Sequence, residues 1–213
     1  MMVERERQGV LVSVIGAGNY KEVEYILAGR GSSRSSFATW ALKELLQDEE
    51  TFDEVLIFGV KGAAWHLVDS HLPEARKAYL PEVKTQQEVD EGFLLIEKTL
   101  REFQSPSLTL DLTHGYRHHV MLILLTTFYL SMLEHLSLEG IYYAMLPYRE
   151  EQAQFLDLMP FFSLLKTVVR VKTFQETMHA TGISDLREEL QRVRNAFGRR
   201  KEVDRASAVG KVE

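Results

Sequence analysis

The sequence predicts an α/β fold with a mostly parallel sheet that has helices on both faces. Nearly continuous apolar runs at residues 10–15 and 54–58 are typical of strands that are buried on both sides, and residues 107–111 indicate a further strand. Segments with helical periodicity follow these runs, and strands that alternate with helices in this rhythm form parallel sheets. The length of 213 residues suffices for one large domain of this class.

Shorter patterns predict the elements between the first two buried strands. Residues 23–27 alternate between apolar and polar and indicate a short strand, and the glycines of residues 29–31 indicate a turn after it. Ser35 or Ser36 is a suitable N-cap for a helix that extends to about residue 47.

The second half of the chain continues the alternation. We expect helices from about Ala64, over residues 86–103 and over residues 118–133. Residues 138–145 and 154–157 indicate two further strands. Two more helices are predicted over residues 160–177, opened by a proline, and over residues 186–197, which are rich in charge.

Composition excludes several classes of protein. The chain has no cysteine, so it has neither disulfides nor cysteine-ligated zinc, which suits a reducing, cytoplasmic location. Its net charge of −6 argues against general nucleic-acid binding. The most apolar run, residues 120–133, is too short to cross a membrane, so no membrane partner is expected.

Sheets of this class bind ligands beyond the carboxyl ends of their strands, and three of these ends carry small or polar residues. After the first strand, Gly16 and Gly18 allow a ligand to approach the backbone, and Asn19 offers an amide. Lys21 stands where a dinucleotide-binding fingerprint would have its third glycine, so this segment alone is equally compatible with a tight turn.

The second strand end offers a cation. Lys61 and Gly62 lie in a loop of small residues directly before a helix, where a phosphate could contact the lysine and free backbone N–H groups. The alternative is a solvated lysine on an ordinary turn.

The third strand end, residues 111–117, is the richest in functional groups. Thr113 and Gly115 can donate hydrogen bonds to a phosphate or a ribose, and Arg117 can pair with a phosphate. His114 can bind a ribose or act as an acid or base. Asp111 is predicted to brace the turn by accepting its N–H groups.

The neighbouring histidines do not predict a metal site. His118 and His119 are adjacent and therefore diverge on a helix, and we expect both to be surface residues at its start. No metal and no cofactor is expected.

At these three strand ends the chain resembles the CRISPR-associated proteins that are named for a DxTHG motif and carry a Rossmann-like CARF domain. Similar blocks lie at residues 10–20, 55–63, 111–117, 139–143 and 155–171. The resemblance therefore covers residues 8–182, which we expect to form the CARF-like domain. Residues 183–213 are expected to form a short, charged helical tail that is partly disordered.

The resemblance implies a homodimer that binds a cyclic oligoadenylate, of four or six nucleotides (cA4 or cA6), on its two-fold axis in type III CRISPR antiviral defence. It also implies a separate effector protein as a partner. The residues expected to bind the ligand are Gly16, Gly18, Asn19, Lys61, Gly62, Thr113, His114, Gly115 and Arg117.

Two functions follow from the resemblance: a sensor that only binds the messenger, and a ring nuclease that degrades it. In the nuclease, Thr113 and His114 would be catalytic, and a ribose 2′-OH would attack the adjacent phosphate without a metal and leave a 2′,3′-cyclic phosphate. No arginine has a histidine at the spacing of the HEPN ribonuclease motif, so that activity is not expected. The alternatives are a CARF-domain transcriptional regulator and a shortened effector without its HEPN domain.

Overall fold

The computed structural model describes residues 8–48, 50–145 and 151–177. The chain divides into two compact units between Asp157 and Leu158. The first unit contains an eight-stranded sheet and four helices, and the second contains one described helix. Among the described residues, no helix combines the length and the apolar character that a membrane span requires.

The strands of the sheet are β1 (Gly9–Ile15), β2 (Val23–Leu27), β3 (Gly31–Ser35), β4 (Glu54–Gly59), β5 (Arg76–Tyr79), β6 (Ser107–Asp111), β7 (Ser137–Ala144) and β8 (Gln152–Asp157). They are ordered β3-β2-β8-β7-β6-β1-β4-β5. The β2–β3 and β7–β8 pairs are antiparallel, and the other five pairs are parallel. The prediction of a mostly parallel sheet is therefore confirmed.

The helices are α1 (Ala38–Leu46), α2 (Trp65–His71), α3 (Gln86–Arg101), α4 (Arg117–Met132) and α5 (Met159–Thr177). A capping box begins α3, because the Thr85 side chain accepts from the Glu88 N–H and the Glu88 carboxylate accepts from the Thr85 N–H. The predicted helix over residues 186–197 and the end of the predicted domain at residue 182 lie outside the described residues.

Both faces of the sheet are buried. Leu11 of β1 and Ile57 of β4 belong to a core cluster with the apolar residues of α1 and α2. Side chains alternate along a strand, so Val12 and Leu56, which are also fully buried, lie on the opposite face. There α3 and α4 pack closely together, and Gly92 of α3 lies where Leu122 of α4 approaches it. Helices on both faces are confirmed.

Two short strands were missed. The glycines of residues 29–31 do form a turn, but it leads into β3, which pairs with β2 as a hairpin. The strand β5 pairs only with β4, at the edge of the sheet. Both sequences are polar, so they lack the apolar runs by which the other strands are found.

The predicted serine cap of α1 is wrong in its details. The N-cap position belongs to Phe37, whose side chain makes no capping hydrogen bond. Ser35 instead accepts the N–H of Phe37 through Oγ, at 3.0 Å. The first helical N–H, that of Ala38, donates instead to Nε2 of His114.

The strand order places three loops side by side. The strand β1 lies between β6 and β4, with Ser13 beside Asp111 and Ile15 beside Gly59. All three strands run in the same direction, so the segments that leave their carboxyl ends emerge at one edge of the sheet. This edge is the crevice in which open α/β sheets bind their ligands.

Candidate functional site

Three loops meet at Gly16, and together they form the strand-end site, defined here as residues 16–20, 59–63 and 113–117. The carbonyl of Gly16 accepts the N–H of Ala64, at 3.0 Å. A Cβ atom on Gly16 would lie 3.3 Å from the Cα of Gly115. The backbone of the first loop therefore touches the ends of both other loops.

Gly115 occupies a position that only glycine fits. Its φ is +97°, which side chains rarely adopt, and a Cβ atom there would lie 2.7 Å from Cγ2 of Val14. This close packing against β1 fixes the path of the third loop.

Asp111 braces the third loop, as predicted. Its side chain is fully buried, and Oδ1 accepts the N–H of Thr113, at 3.0 Å. Its other oxygen, Oδ2, accepts the hydroxyl of Thr39, at 2.7 Å, and that of Ser13, at 3.3 Å. The carboxylate thus joins the end of β6 to β1 and to the first turn of α1.

Thr113 is half-buried, with its hydroxyl between two strands. Oγ1 accepts the N–H of Ala144 at the end of β7, at 3.0 Å. The hydroxyl proton is not used in that bond, so it can be donated to a ligand.

His114 is buried, whereas Thr113 and Gly115 on either side of it are half-buried. Nε2 accepts the N–H of Ala38, the first residue of α1, at 3.2 Å. Burial lowers the pKa of His114 to about 4, against a smaller opposing effect of Asp111, so the ring is neutral at neutral pH. Because Nε2 is the acceptor, the neutral ring carries its proton on Nδ1.

Five of the residues predicted to bind the ligand are exposed: Gly18, Asn19, Lys61, Gly62 and Arg117. Within the described part of the chain, neither the Lys61 nor the Arg117 side chain has an ion pair or hydrogen bond. The amides of Ala63 and Ala64, at the end of the second loop, are already bonded to the carbonyls of Val60 and Gly16. These two amides are therefore not available to a phosphate, whereas the charge of Lys61 is.

The amino end of α4 faces the same site. The helix begins at Arg117, and its N-cap residue, Tyr116, provides no side-chain cap. Uncapped N–H groups and the helix dipole favour an anion at this position. The ring of Tyr116 is 40% exposed and stacks on His118, with the ring centres 5.6 Å apart.

The prediction that His119 is a surface residue is wrong. Its side chain is fully buried, and Nε2 lies 2.8 Å from the carbonyl oxygen of Pro81. His118 is half-buried. In the described ranges, no three side chains of His, Asp or Glu are grouped as a metal ion would require.

Four residues in or beside the site were not singled out from the sequence: Tyr20 and Tyr116 belong to it, and Ser13 and Thr39 contact Asp111 behind it. Ser13 could have been noticed as the one polar residue in an apolar strand. Thr39 gives no sequence signal, because its role depends on a contact with Asp111, 72 residues away.

The arrangement can bind an anion with several charges. It offers two unpaired cations, a threonine hydroxyl, an uncapped helix end and backbone that a ligand can approach closely. It offers little for acid–base catalysis at neutral pH, because the acceptor nitrogen of its one buried histidine already has a partner.

No protein-family model and no curated protein matches the chain. Among solved structures, the chain is similar to Enterococcus italicus Csm6 bound to cyclic hexa-2′-fluoro-hexa-dAMP, with 12% sequence identity and a TM-score of 0.47. The match covers 92% of this chain and 56% of that one, so the chain spans little more than half the length of that protein.

Proposed function

We propose that the chain is a sensor that binds a cyclic oligoadenylate at the strand-end site. The observation that carries the proposal is the meeting of three strand-end loops at Gly16, which brings Lys61, Arg117 and the uncapped end of α4 to one edge of the sheet. The site chemistry suits a polyanion, and the resemblance of residues 111–117 to the DxTHG block supports a cyclic oligoadenylate as that polyanion. A cytoplasmic role in type III CRISPR defence belongs to the same proposal.

Each part of the ligand has a suitable partner. The cations and the helix end match phosphate oxygens. The free proton of the Thr113 hydroxyl can be donated to a phosphate or ribose oxygen. Tyr116 is exposed enough for an adenine to stack on it. Gly18 and Asn19 are exposed on the first loop, where a ribose or base can contact the backbone.

The proposal is restricted to binding because of His114. A general base must have a free lone pair, whereas Nε2 of His114 accepts the N–H of Ala38. A general acid at neutral pH must be protonated, whereas burial holds the pKa of His114 near 4. The ring nuclease stays a prediction of the sequence, and the experiment below also tests it.

Calorimetric titration with cyclic tetra- and hexa-adenylate tests the site. We expect at least one ring to bind, and Lys61→Gln and Arg117→Gln each to weaken binding by about tenfold, because each removes one charge-assisted contact with phosphate. Lys98→Gln, which removes an exposed lysine from α3, is the control and should leave the affinity unchanged.

Three outcomes would count against parts of the proposal. If neither ring binds, the ligand is wrong. If a ring binds with unchanged affinity to the Lys61 and Arg117 variants, the site is wrong. If chromatography shows linear products after incubation without added metal, the chain is a ring nuclease and not a simple sensor.

The proposed sensor is a homodimer that associates through α4. Met121, Leu125, Tyr129 and Leu133 follow one another at intervals of four residues, and each is between 41% and 61% exposed. We call these four residues the α4 stripe. After Arg117, α4 has no Asp, Glu, Lys or Arg, so the α4 stripe is largely apolar.

A second copy is the partner that suits this stripe. Arg117 precedes Met121 by one turn of the helix and so begins the same face. One copy provides two unpaired cations at the site, whereas a ring of four or six nucleotides carries as many phosphate charges. Two copies joined along α4 would double the cations and match a ring with two-fold symmetry.

Replacing Leu125 with lysine tests the dimer, because each copy would then bury an unpaired charge in the interface. By analytical ultracentrifugation we expect the wild type to have the mass of two chains and Leu125→Lys that of one. Leu94→Lys is the matched control, since Leu94 is as exposed as Leu125 but lies on α3 among charged residues. A monomeric wild type, or a Leu125→Lys variant that remains dimeric, would refute this interface.

A further inference from the structure

Tyr20 occupies a position that the proposed function does not explain. It ends the first loop of the strand-end site, and its side chain is only half exposed, whereas residues 17–19 are exposed. Its hydroxyl accepts the N–H of Gly16, at 3.0 Å, and donates to the carbonyl of the same residue, at 3.1 Å. The last residue of the loop thus binds both polar groups of the first.

The ring of Tyr20 is held on two sides. A Cβ atom on Gly18 would lie 3.4 Å from Cε2 of the ring, so the loop wraps closely around it. The ring also packs edge-to-face on His114, with the centroids 4.5 Å apart. Tyr20 therefore joins the first loop to the third.

His114 extends this contact to α1. Its ring stacks on Phe37, with the centroids 6.0 Å apart, and its Nε2 accepts the N–H of Ala38. Gly16, which the Tyr20 hydroxyl holds, also accepts the N–H of Ala64 beside the second loop. Tyr20 thus contacts, directly or through one residue, all three loops of the site.

We propose that Tyr20 is a positioning residue: it holds the first loop closed and fixes the exposed Gly18 and Asn19 relative to the third loop. Its phenol must be neutral to donate to the Gly16 carbonyl. Burial raises the pKa of Tyr20 above its ordinary value, which is consistent with that role. Because the ring is covered by Gly18 and His114, Tyr20 acts on a ligand through the loops. The inference concerns the same site and rests on the proposed function for one of its two readouts.

Tyr20→Phe is the test, since it removes the hydroxyl but keeps the ring on His114. Tyr25→Phe is the matched control: the Tyr25 hydroxyl is buried and has no hydrogen-bond partner among the described residues. Removing it should not disturb the loops, because an unpaired buried hydroxyl contributes no bond.

The first readout is amide hydrogen exchange without ligand. We expect Tyr20→Phe to speed exchange about tenfold or more at the Gly16 amide, which loses its acceptor, with the protection of the β1 strand unchanged, because a loop without its closing bonds opens locally. The Tyr25→Phe protein should exchange like the wild type. Unchanged exchange in Tyr20→Phe, or equal acceleration in Tyr25→Phe, would overturn the positioning role.

The second readout is the affinity for the cyclic oligoadenylate. Tyr20→Phe should weaken it by about tenfold, the equivalent of one or two lost hydrogen bonds. If affinity falls while exchange stays unchanged, Tyr20 contacts the ligand itself and the positioning role is wrong. If the wild type binds neither ring, the proposed function fails, and the exchange measurement still decides whether Tyr20 closes the loop.

Discussion

Replacing Gly115 with alanine should lower the free energy of unfolding by about 2–5 kcal/mol and abolish ligand binding. A side chain at a φ of +97° costs about 1–2 kcal/mol. The new Cβ atom would also lie 2.7 Å from Cγ2 of Val14, and overpacking of this kind costs about 1–3 kcal/mol. Urea unfolding measures the loss as a lower midpoint at an unchanged slope.

Gly62→Ala is the matched control for Gly115→Ala. Gly62 belongs to the same strand-end site, but a Cβ atom there would meet no heavy atom within 4 Å, and its φ is not positive. We expect its stability to equal that of the wild type within the error of the measurement. Equal stability of the two variants would show that the third loop does not have the close packing described above.

Asp111→Asn should destabilise the protein by about 2–3 kcal/mol. The substitution keeps the shape of the side chain but replaces one carboxylate oxygen with an NH2 group. In the wild type, this fully buried carboxylate accepts hydrogen bonds from Ser13, Thr39 and Thr113 through two oxygens. In the variant, the amide has only one oxygen to accept them. At least one buried donor therefore loses its acceptor, and hydrogen bonds to a charged group are the stronger kind.

The control for Asp111→Asn is Asp53→Asn. Asp53 also accepts a backbone N–H, that of Gly9 at 2.8 Å, but in an exposed position where water can replace the lost charge. This variant should unfold at nearly the wild-type urea concentration. If Asp111→Asn unfolds there as well, the carboxylate does not brace the loop.

The buried strands could be predicted because their signal is local. The apolar runs of β1 and β4 are nearly continuous, and few alternatives to a central strand fit them. In β6, with the sequence SLTLD, two leucines alternate with polar residues, which is also a local strand pattern. The strand β3, with the sequence GSSRS, has no such run. It forms because the turn before it brings its backbone alongside β2, which no pattern in its own residues reveals.

The site could be predicted as a location but not as a set of contacts. Small and polar residues after three strands were enough to predict where the loops meet, because parallel strands share one carboxyl edge. The partners within the site could not be predicted. The hydrogen bond from the Ala38 N–H to His114 joins residues that are 76 positions apart. The sequence suggested His114 as a ligand-binding or acid–base residue, whereas the structure shows a buried ring that is neutral at neutral pH.

The central claim, that a cyclic oligoadenylate binds where these three loops meet, is tested most directly by amide hydrogen exchange with and without the ring. With cyclic tetra- or hexa-adenylate, we expect slower exchange in residues 16–20, 59–63 and 113–117, and no change at the opposite edge of the sheet, in residues 103–107. Slower exchange in these three loops would support the account. Unchanged exchange with both rings, or protection confined to other parts of the chain, would contradict it.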